Sequence, residues 1–284
     1  MEYWEESGKE LIHKTEEGPS FFEKVGKEKF SDYKAHKRLG YVFKDNDELV
    51  INLIKNKTST NVNVLEIGSF LGQGSKFFIK IFEKHGLKPV VDSVDLMLPY
   101  LEEVSNVDYS SQGFHLLKNT IEERKAHKLI LHGGRSRDIL PFLVKEFDFA
   151  YIDGEHTPGG VYLDLVLTLA RSGKGSVLLV DDMTWVDLKS VGSGVKVFMR
   201  EYADNIDKIY AHGQKGSQFG FHEISDMREL RDMKTDQILF VVKEPVKRSL
   251  DEVLSEIKKF HLHMNKTMNG GNRKTRRIKK KLSR

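Results

Sequence analysis

The residues able to do chemistry stand at four places, each where an apolar run stops. The first is Val64-Leu65-Glu66-Ile67-Gly68-Ser69-Phe70-Leu71-Gly72-Gln73-Gly74-Ser75. An acid closes a strand-like run, and three glycines at Gly-x-x-x-Gly-x-Gly spacing lead into a helical pattern carrying Phe77, Phe78, Ile81 and Phe82. Glycines let a backbone approach a bound molecule closely, and a helix start offers unpaired N–H groups. The spacing is neither the G-x-G-x-x-G of dinucleotide binders nor a P-loop. Taken alone, the segment also fits an ordinary tight turn.

The second place is Val90-Val91-Asp92-Ser93-Val94-Asp95-Leu96, with Asp95 lying 21 residues after Gly74. An acid there can accept hydrogen bonds from both hydroxyls of a ribose laid across the strand ends. The third is Phe147 to His156, where Asp153, Glu155 and His156 follow a largely apolar run. The fourth is Ser176-Val177-Leu178-Leu179-Val180-Asp181-Asp182. If the last two runs are parallel neighbours, Asp153, Asp181 and Asp182 converge. Three carboxylates in one site repel unless a cation or protons compensate. An all-oxygen set of this kind suits Mg²⁺ or Mn²⁺. His156, whose imidazole titrates near neutral pH, could accept a proton from a hydroxyl; a loop histidine bonded to backbone fits the same residue.

The elements that must position these groups can be read from the pattern. Strands are expected at Val62–Ile67, Val90–Asp95, Lys128–His132, Phe147–Asp153 and Ser176–Asp181, with helices at 72–85, 111–126, 136–145 and 158–171 between them. Further on come a helix near 192–204 and strands at 206–212, 217–224 and 237–243. Alternating βα units with near-continuous apolar strands predict an α/β fold: a Rossmann-like, doubly wound, mostly parallel sheet of about seven strands with helices on both faces. The expected organisation is a helical N-terminal extension over 1–60 (amphipathic at 5–16 and 46–57), a catalytic domain over 61–246, a C-terminal helix over 247–265 and a disordered basic tail over 266–284. Met183 and Trp185 read as core packing, and His212, His222, His261 and His263 show no ligand spacing.

In this order these residues resemble class I S-adenosylmethionine-dependent methyltransferases, over roughly residues 60–245. The resemblance implies that Glu66, Gly68, Ser69, Phe70, Gly72, Gly74 and Ser75 wrap the methionine half of S-adenosylmethionine. It implies that Asp95, with Leu96, holds the ribose, and that Gly134-Arg135-Ser136 borders the adenine, although many relatives carry an acid where this chain has Arg135. YIDGEHTPGGVYLDL followed by VLLVDD is similar to the small-substrate, metal-dependent O-methyltransferase branch. There Asp153, also beside the cofactor, would ligate a divalent metal with Asp181 and Asp182, and His156 would serve as base. The usual Lys-Pro-Gly-Gly before the fifth strand is replaced by Ser172-Gly173-Lys174-Gly175. The implied activity is methyl transfer to a hydroxyl of a small molecule or glycan.

Composition narrows the alternatives. The chain has 284 residues, no Cys and 39% hydrophobic residues. It can therefore build a sizeable core, while a disulfide scaffold and a thiolate zinc site are excluded. No apolar run is long enough to span a membrane, and the acidic start MEYWEESGKE lacks a secretory pattern, so a cytoplasmic location is expected. The formal charge of +4 is uneven. Nine of the 46 Lys and Arg lie in 266–284, leaving 37 against 42 acids in the preceding part. The body is thus mildly acidic. The tail resembles endings found on giant DNA virus proteins, and could contact nucleic acid through phosphate attraction or carry a nuclear or virion address. The competing classes are an RNA-directed methyltransferase anchored by that tail and a catalytically inactive cofactor-binding module. Oligomeric state is not encoded in any motif.

Overall fold

The computed structural model describes residues 48–258, with breaks at 59, 71, 98–99, 102–107, 110–111, 184–188, 216–217, 226–228, 231–234, 247–250, 253–254 and 256–257. The expected helix at 5–16, Trp185, His261, His263 and the basic tail lie outside the described residues.

Helix α1 spans 48–57. The elements that follow are β1 (Asn61–Ile67), α2 (Gln73–Lys84), β2 (Lys88–Asp95), the short strands β3 (Tyr100–Leu101) and β4 (Asp108–Tyr109), α3 (Gln112–Asn119), α4 (Ile121–Lys125), β5 (Leu129–Gly133) and α5 (Ser136–Ile139). Then come β6 (Phe147–Ile152), α6 (Pro158–Leu169), β7 (Ser172–Val180), α7 (Lys189–Tyr202), β8 (Ile206–Lys215), β9 (Gln218–Ile224) and β10 (Gln237–Val242). The expected α/β alternation holds throughout.

Eight strands form one sheet in the order β5-β2-β1-β6-β7-β10-β8-β9. β5, β2, β1, β6 and β7 run parallel. β10 is antiparallel to both β7 and β8, and β9 is antiparallel to β8. The chain winds outward from β1 to one side and from β6 to the other. The crevice where a doubly wound sheet binds ligands therefore opens at the carboxyl ends of β1 and β6.

The apolar residues of the strands alternate between two cores. On one face Val64, Phe149, Leu179 and Leu239 share a core with Ile51 and Ile54 of α1 and Phe78 and Phe82 of α2. On the other, Ile67, Ala150, Val180 and Phe240 pack with Leu165 of α6 and Phe198 of α7. Each fully buried Phe or Ile contributes roughly 2 kcal/mol of transfer free energy. Helix α6 is apolar nearly all round because the sheet and α7 enclose it; α7 comes so close that a Cβ on Gly194 would stand 2.4 Å from Pro158 O. The start of α6 is fixed by Pro158 at its first position and by Thr157, whose hydroxyl accepts the Gly160 N–H at 3.0 Å. α1 is fastened from below: Lys57 Nζ bonds Glu146 at 2.8 Å and Asp148 at 2.7 Å.

Three local expectations change. The helix read as continuous over 111–126 breaks at Thr120, whose hydroxyl donates to Leu116 O at 2.7 Å. The helix read over 136–145 stops at Ile139 and tightens into a 3₁₀ turn at Leu140–Phe142, because Pro141 cannot continue an α-helical ladder. β7 begins at Ser172 rather than Ser176; Ser172 pairs with Phe147, and the Ser176 hydroxyl donates to Phe147 O across the irregularity. The β3–β4 pair was not expected from the sequence. Among the described residues, no helix is long and apolar enough to cross a membrane.

Candidate functional site

The strand register aligns the chemically able residues. Gly133 pairs with Asp95. The parallel ladder continues one step past β1 and β6 through Gly68 N–H to Val94 O (2.9 Å), Asp153 N–H to Ile67 O (2.9 Å) and Asp181 N–H to Ile152 O (3.1 Å). On the far side, the register that pairs Ile238 with Val180 brings Gln237 opposite Asp181, and Gln237 pairs with His212. Gly133, Asp95, Gly68, Asp153, Asp181, Gln237 and His212 thus form one row along the carboxyl edge of the sheet.

At the glycine-rich turn the backbone is pinned by its neighbours. Gly68 has φ +87°, and a Cβ there would stand 2.0 Å from Asp153 O. At Gly72 (φ +79°) a Cβ would meet Thr120 Cγ2 at 2.4 Å, and at Gly74 it would meet Glu66 Oε1 at 2.1 Å. Only glycine satisfies these contacts. Glu66 is 1% exposed. It accepts the hydroxyls of Ser75, Ser93 (2.8 Å) and Ser69 (3.2 Å). Burial lifts its carboxyl to about 7, against the opposing effect of those serine hydrogen bonds. Asp95 accepts the backbone N–H groups of Ser69 (3.0 Å), Phe70 (2.9 Å) and Met97 (2.8 Å). This carboxylate therefore fastens the turn of β1 to the end of β2. Leu96 is exposed beside it. Helix α2 starts at Gly72 with no side-chain cap and no acid in its first turn. Its N-terminal amides and dipole suit an anionic group.

In the third loop, Gly134 has φ +150°, Arg135 is exposed, and the Ser136 hydroxyl donates to Asp164 of α6. Asp164 is 1% exposed and lies below the fourth loop, where a Cβ on Gly154 would stand 3.1 Å from its Oδ2. Burial raises its carboxyl to about 7, with the Ser136 hydrogen bond opposing. Asp164 thereby ties the loops after β5 and β6 to one helix.

The ionisable cluster sits beyond. Asp153, His156 and Asp182 each offer a ligand atom, all within 4.8 Å of one another. His156 Nε2 is 3.3 Å from Asp153 Oδ1 and 3.6 Å from Asp182 Oδ2. Burial lifts the Asp153 carboxyl to about 7; the His156 hydrogen bond opposes this, and Asp181 and Asp182 reinforce it. The imidazole is raised in turn, chiefly by its hydrogen bond to Asp153. The structure brings His156 into this group and sets Asp181 apart from it: Asp181 accepts the Tyr151 hydroxyl and its own neighbour's N–H, Asp182 N at 2.8 Å. The same Tyr151 hydroxyl lies 3.4 Å from Asp153 Oδ2. Burial and the surrounding acids hold this phenol well above its ordinary range, so it stays a donor. Asp182 has φ +58°, and Phe70 and Met97 have φ +51° and +52°. Three of the four non-glycine residues with positive φ among the described residues therefore flank this edge, where strained backbone commonly accompanies function.

The donor set fits a divalent cation, two carboxylates and an imidazole being within bridging distance. The imidazole nitrogen moves the preference from Mg²⁺ towards a transition-metal ion. Tyr151, Asp164 and Ser93 carry structural weight here that motif reading passed over. The signal available was a hydroxyl or an acid alone in an otherwise apolar run, as in FDFAYI and VYLDLVL.

Residues 65–183 match a protein family described as "Methyltransferase domain". No curated protein matches the chain by sequence. Similar solved structures include the O-methyltransferase TomG from Streptomyces achromogenes, involved in tomaymycin synthesis and solved with SAM: 20% identity, covering 78% of this chain and 94% of that one, TM-score 0.44. Another is the O-methyltransferase from Bacillus cereus in complex with SAH, at 18% identity, covering 69% of this chain and 78% of that one, TM-score 0.44.

Proposed function

We propose that this chain, whose residues 65–183 match a family described as "Methyltransferase domain", transfers the methyl group of S-adenosylmethionine to a hydroxyl of a small molecule or glycan. The observation that supports this reading is the placement of the Asp153–His156–Asp182 cluster beside the glycine-rich turn, one step along the same sheet edge.

S-adenosylmethionine supplies an electrophilic sulfonium methyl: the O–C bond forms as the S–C bond breaks, and the electron pair stays on sulfur. The residues fit this ligand. The uncapped start of α2 offers amides to its carboxylate, Asp95 and Leu96 would face its ribose, and Gly134, Arg135 and Ser136 would border its adenine, with Asp153 beside Gly68. A divalent cation held by Asp153 and Asp182, with His156 or Asp181 nearby, would lower the pKa of an acceptor hydroxyl and fix its oxygen. This chain's own contribution is alignment and proton transfer. The rigid turn at Gly68 and the ladder at Asp153 set the distance between the two reactants, which is mainly an orientational gain. The His156 imidazole accepts the hydroxyl proton, and Asp153, 3.3 Å from its Nε2, stabilises the imidazolium.

The test measures labelled methyl transfer to a panel of hydroxylated acceptors by wild type, His156→Ala and Asp182→Asn, with S-adenosylmethionine affinity measured separately by calorimetry. Loss of about 100-fold or more in turnover with unchanged cofactor affinity is expected. Unchanged turnover in both variants, with or without chelator, would remove the base and the metal from the reading. Undiminished cofactor binding in Asp95→Ala and Gly72→Val would remove the cofactor site.

A further inference from the structure

The start of β10 carries buried polar groups that the chemistry described above does not use. Thr235 and Gln237 are 3% and 1% exposed. The Thr235 hydroxyl and both the oxygen and the nitrogen of the Gln237 carboxamide have no hydrogen-bond partner among the described residues. Buried polar atoms are nearly always paired, and a carboxamide can offer two donors and two acceptor lone pairs. A side chain serving packing alone at this position would be apolar, as Leu239 and Val241 are further along the same strand.

Its place in the sheet says what would complete it. Gln237 continues the alternation that puts Leu239 and Val241 in one core with Leu179 and Tyr151, so it shares a sheet face with Asp181. Met183 N–H donates to Asp236 O at 2.9 Å, which fastens the Asp181–Asp182–Met183 turn to the start of β10. Adjacent strands lie about 4.8 Å apart. Gln237 is thus about one strand spacing from Asp181 and about two from Asp153 along the backbone row, so a hydroxylated ring lying over Asp181 stands between the two side chains. On its other side stands His212, 1% exposed and set edge-on against Phe221 at 5.1 Å.

We propose that Gln237 and Thr235 form the acceptor subsite, and that the acceptor is a sugar or similar polyol with neighbouring hydroxyls. This rests on the methyl-transfer reading above. One hydroxyl reacts beside Asp153, His156 and Asp182, losing its proton to His156 as it gains the methyl group. A neighbouring hydroxyl, able to donate and accept at once, pairs with the Gln237 carboxamide, and another with Thr235. A catechol would commit both its hydroxyls to the reacting centre and leave an apolar ring against an unpaired carboxamide.

The experiment uses the full chain, labelled S-adenosylmethionine, and two acceptor sets: methyl glycosides of common hexoses, and catechol. Wild type is expected to label the glycosides. Gln237→Leu is expected to raise the glycoside KM about tenfold, and Thr235→Val about threefold. In both variants kcat stays within about threefold and cofactor affinity by calorimetry is unchanged. If Gln237→Leu does not fold, Thr235→Val and Gln237→Glu carry the KM readout. Label on catechol alone, no label on either set while S-adenosylmethionine binds, or an unmoved KM overturns the subsite. Absence of S-adenosylmethionine binding by wild type overturns the methyltransferase reading itself.

Discussion

Asp164→Asn tests whether the acid under the third and fourth loops is an uncharged link. Asp164 is 1% exposed, and burial raises its carboxyl from 3.8 to about 7 in the folded chain. Its folded-state pKa is therefore above the unfolded one. The folded state holds a proton that the unfolded state releases between these values, so stability is greatest below 3.8 and falls as pH rises to about 7. Across the full window the fall is about 4 kcal/mol, and the part above pH 5 is about 3 kcal/mol. Asn cannot ionise and keeps an oxygen for the Ser136 hydroxyl, so its profile lacks this fall. The assay is urea unfolding of both proteins at pH 5, 6, 7 and 8. A constant offset from shape cancels when the difference between the curves is followed against pH, as do the contributions of Glu66 and Asp153. The expected result is that the variant gains about 3 kcal/mol on wild type from pH 5 to pH 8. Parallel curves would show that Asp164 is ionised in the fold, and the reasoning from burial would fail.

Two further outcomes follow from the packing. Gly68→Ala is expected to cost roughly 1–3 kcal/mol and abolish S-adenosylmethionine binding, because its Cβ would stand 2.0 Å from Asp153 O. Gly86→Ala is the control, since Gly86 has φ +78° but nothing within 4 Å of its Cβ; it should cost about 1 kcal/mol and leave binding intact. Equal binding losses in the two would refute the close-approach argument. Lys57→Met removes the cation between Glu146 and Asp148 and should lower stability by roughly 2–3 kcal/mol in urea unfolding, Asp148 being left with little solvent. An unmoved midpoint would show that α1 is held by its apolar face alone.

The fold was legible because its strands are buried on both faces and its helices, α6 apart, on one, so period and run length speak clearly in VNVLEI or SVLLV. The elements that departed from expectation did so where one residue overrides a periodic pattern: Pro141 ends a helix, and Thr120 breaks another against Gly72. The β3–β4 pair is two residues a side, too short to leave a period. At the site, residues named from motifs stand together because each closes a strand. His156 and Asp181 show the limit of that reading. Their order in the chain places both at the edge, but that His156 Nε2 stands 3.3 Å from Asp153 while Asp181 takes the Tyr151 hydroxyl is side-chain geometry that a motif does not encode. Gln237 carried no motif, since a glutamine at a strand start is unremarkable until its burial and lack of partners are seen.

The row of residues along the carboxyl edge makes main-chain register a component of the chemistry. Side chains alternate faces with period two, so a slip of one residue in any strand would turn its contribution away from the others. Precision at the site therefore depends on ladders and cores far below it, and a core substitution that shifts β6 or β7 would act as a catalytic lesion without touching a reacting group. The row also has a seam. Parallel strands carry Asp95, Gly68, Asp153 and Asp181, while antiparallel strands added beyond β7 carry Gln237 and His212. The two halves hang on different connections, so the loops and residues of β8–β10 can be exchanged while the parallel half, Asp95, Gly68 and Asp153 included, keeps its geometry.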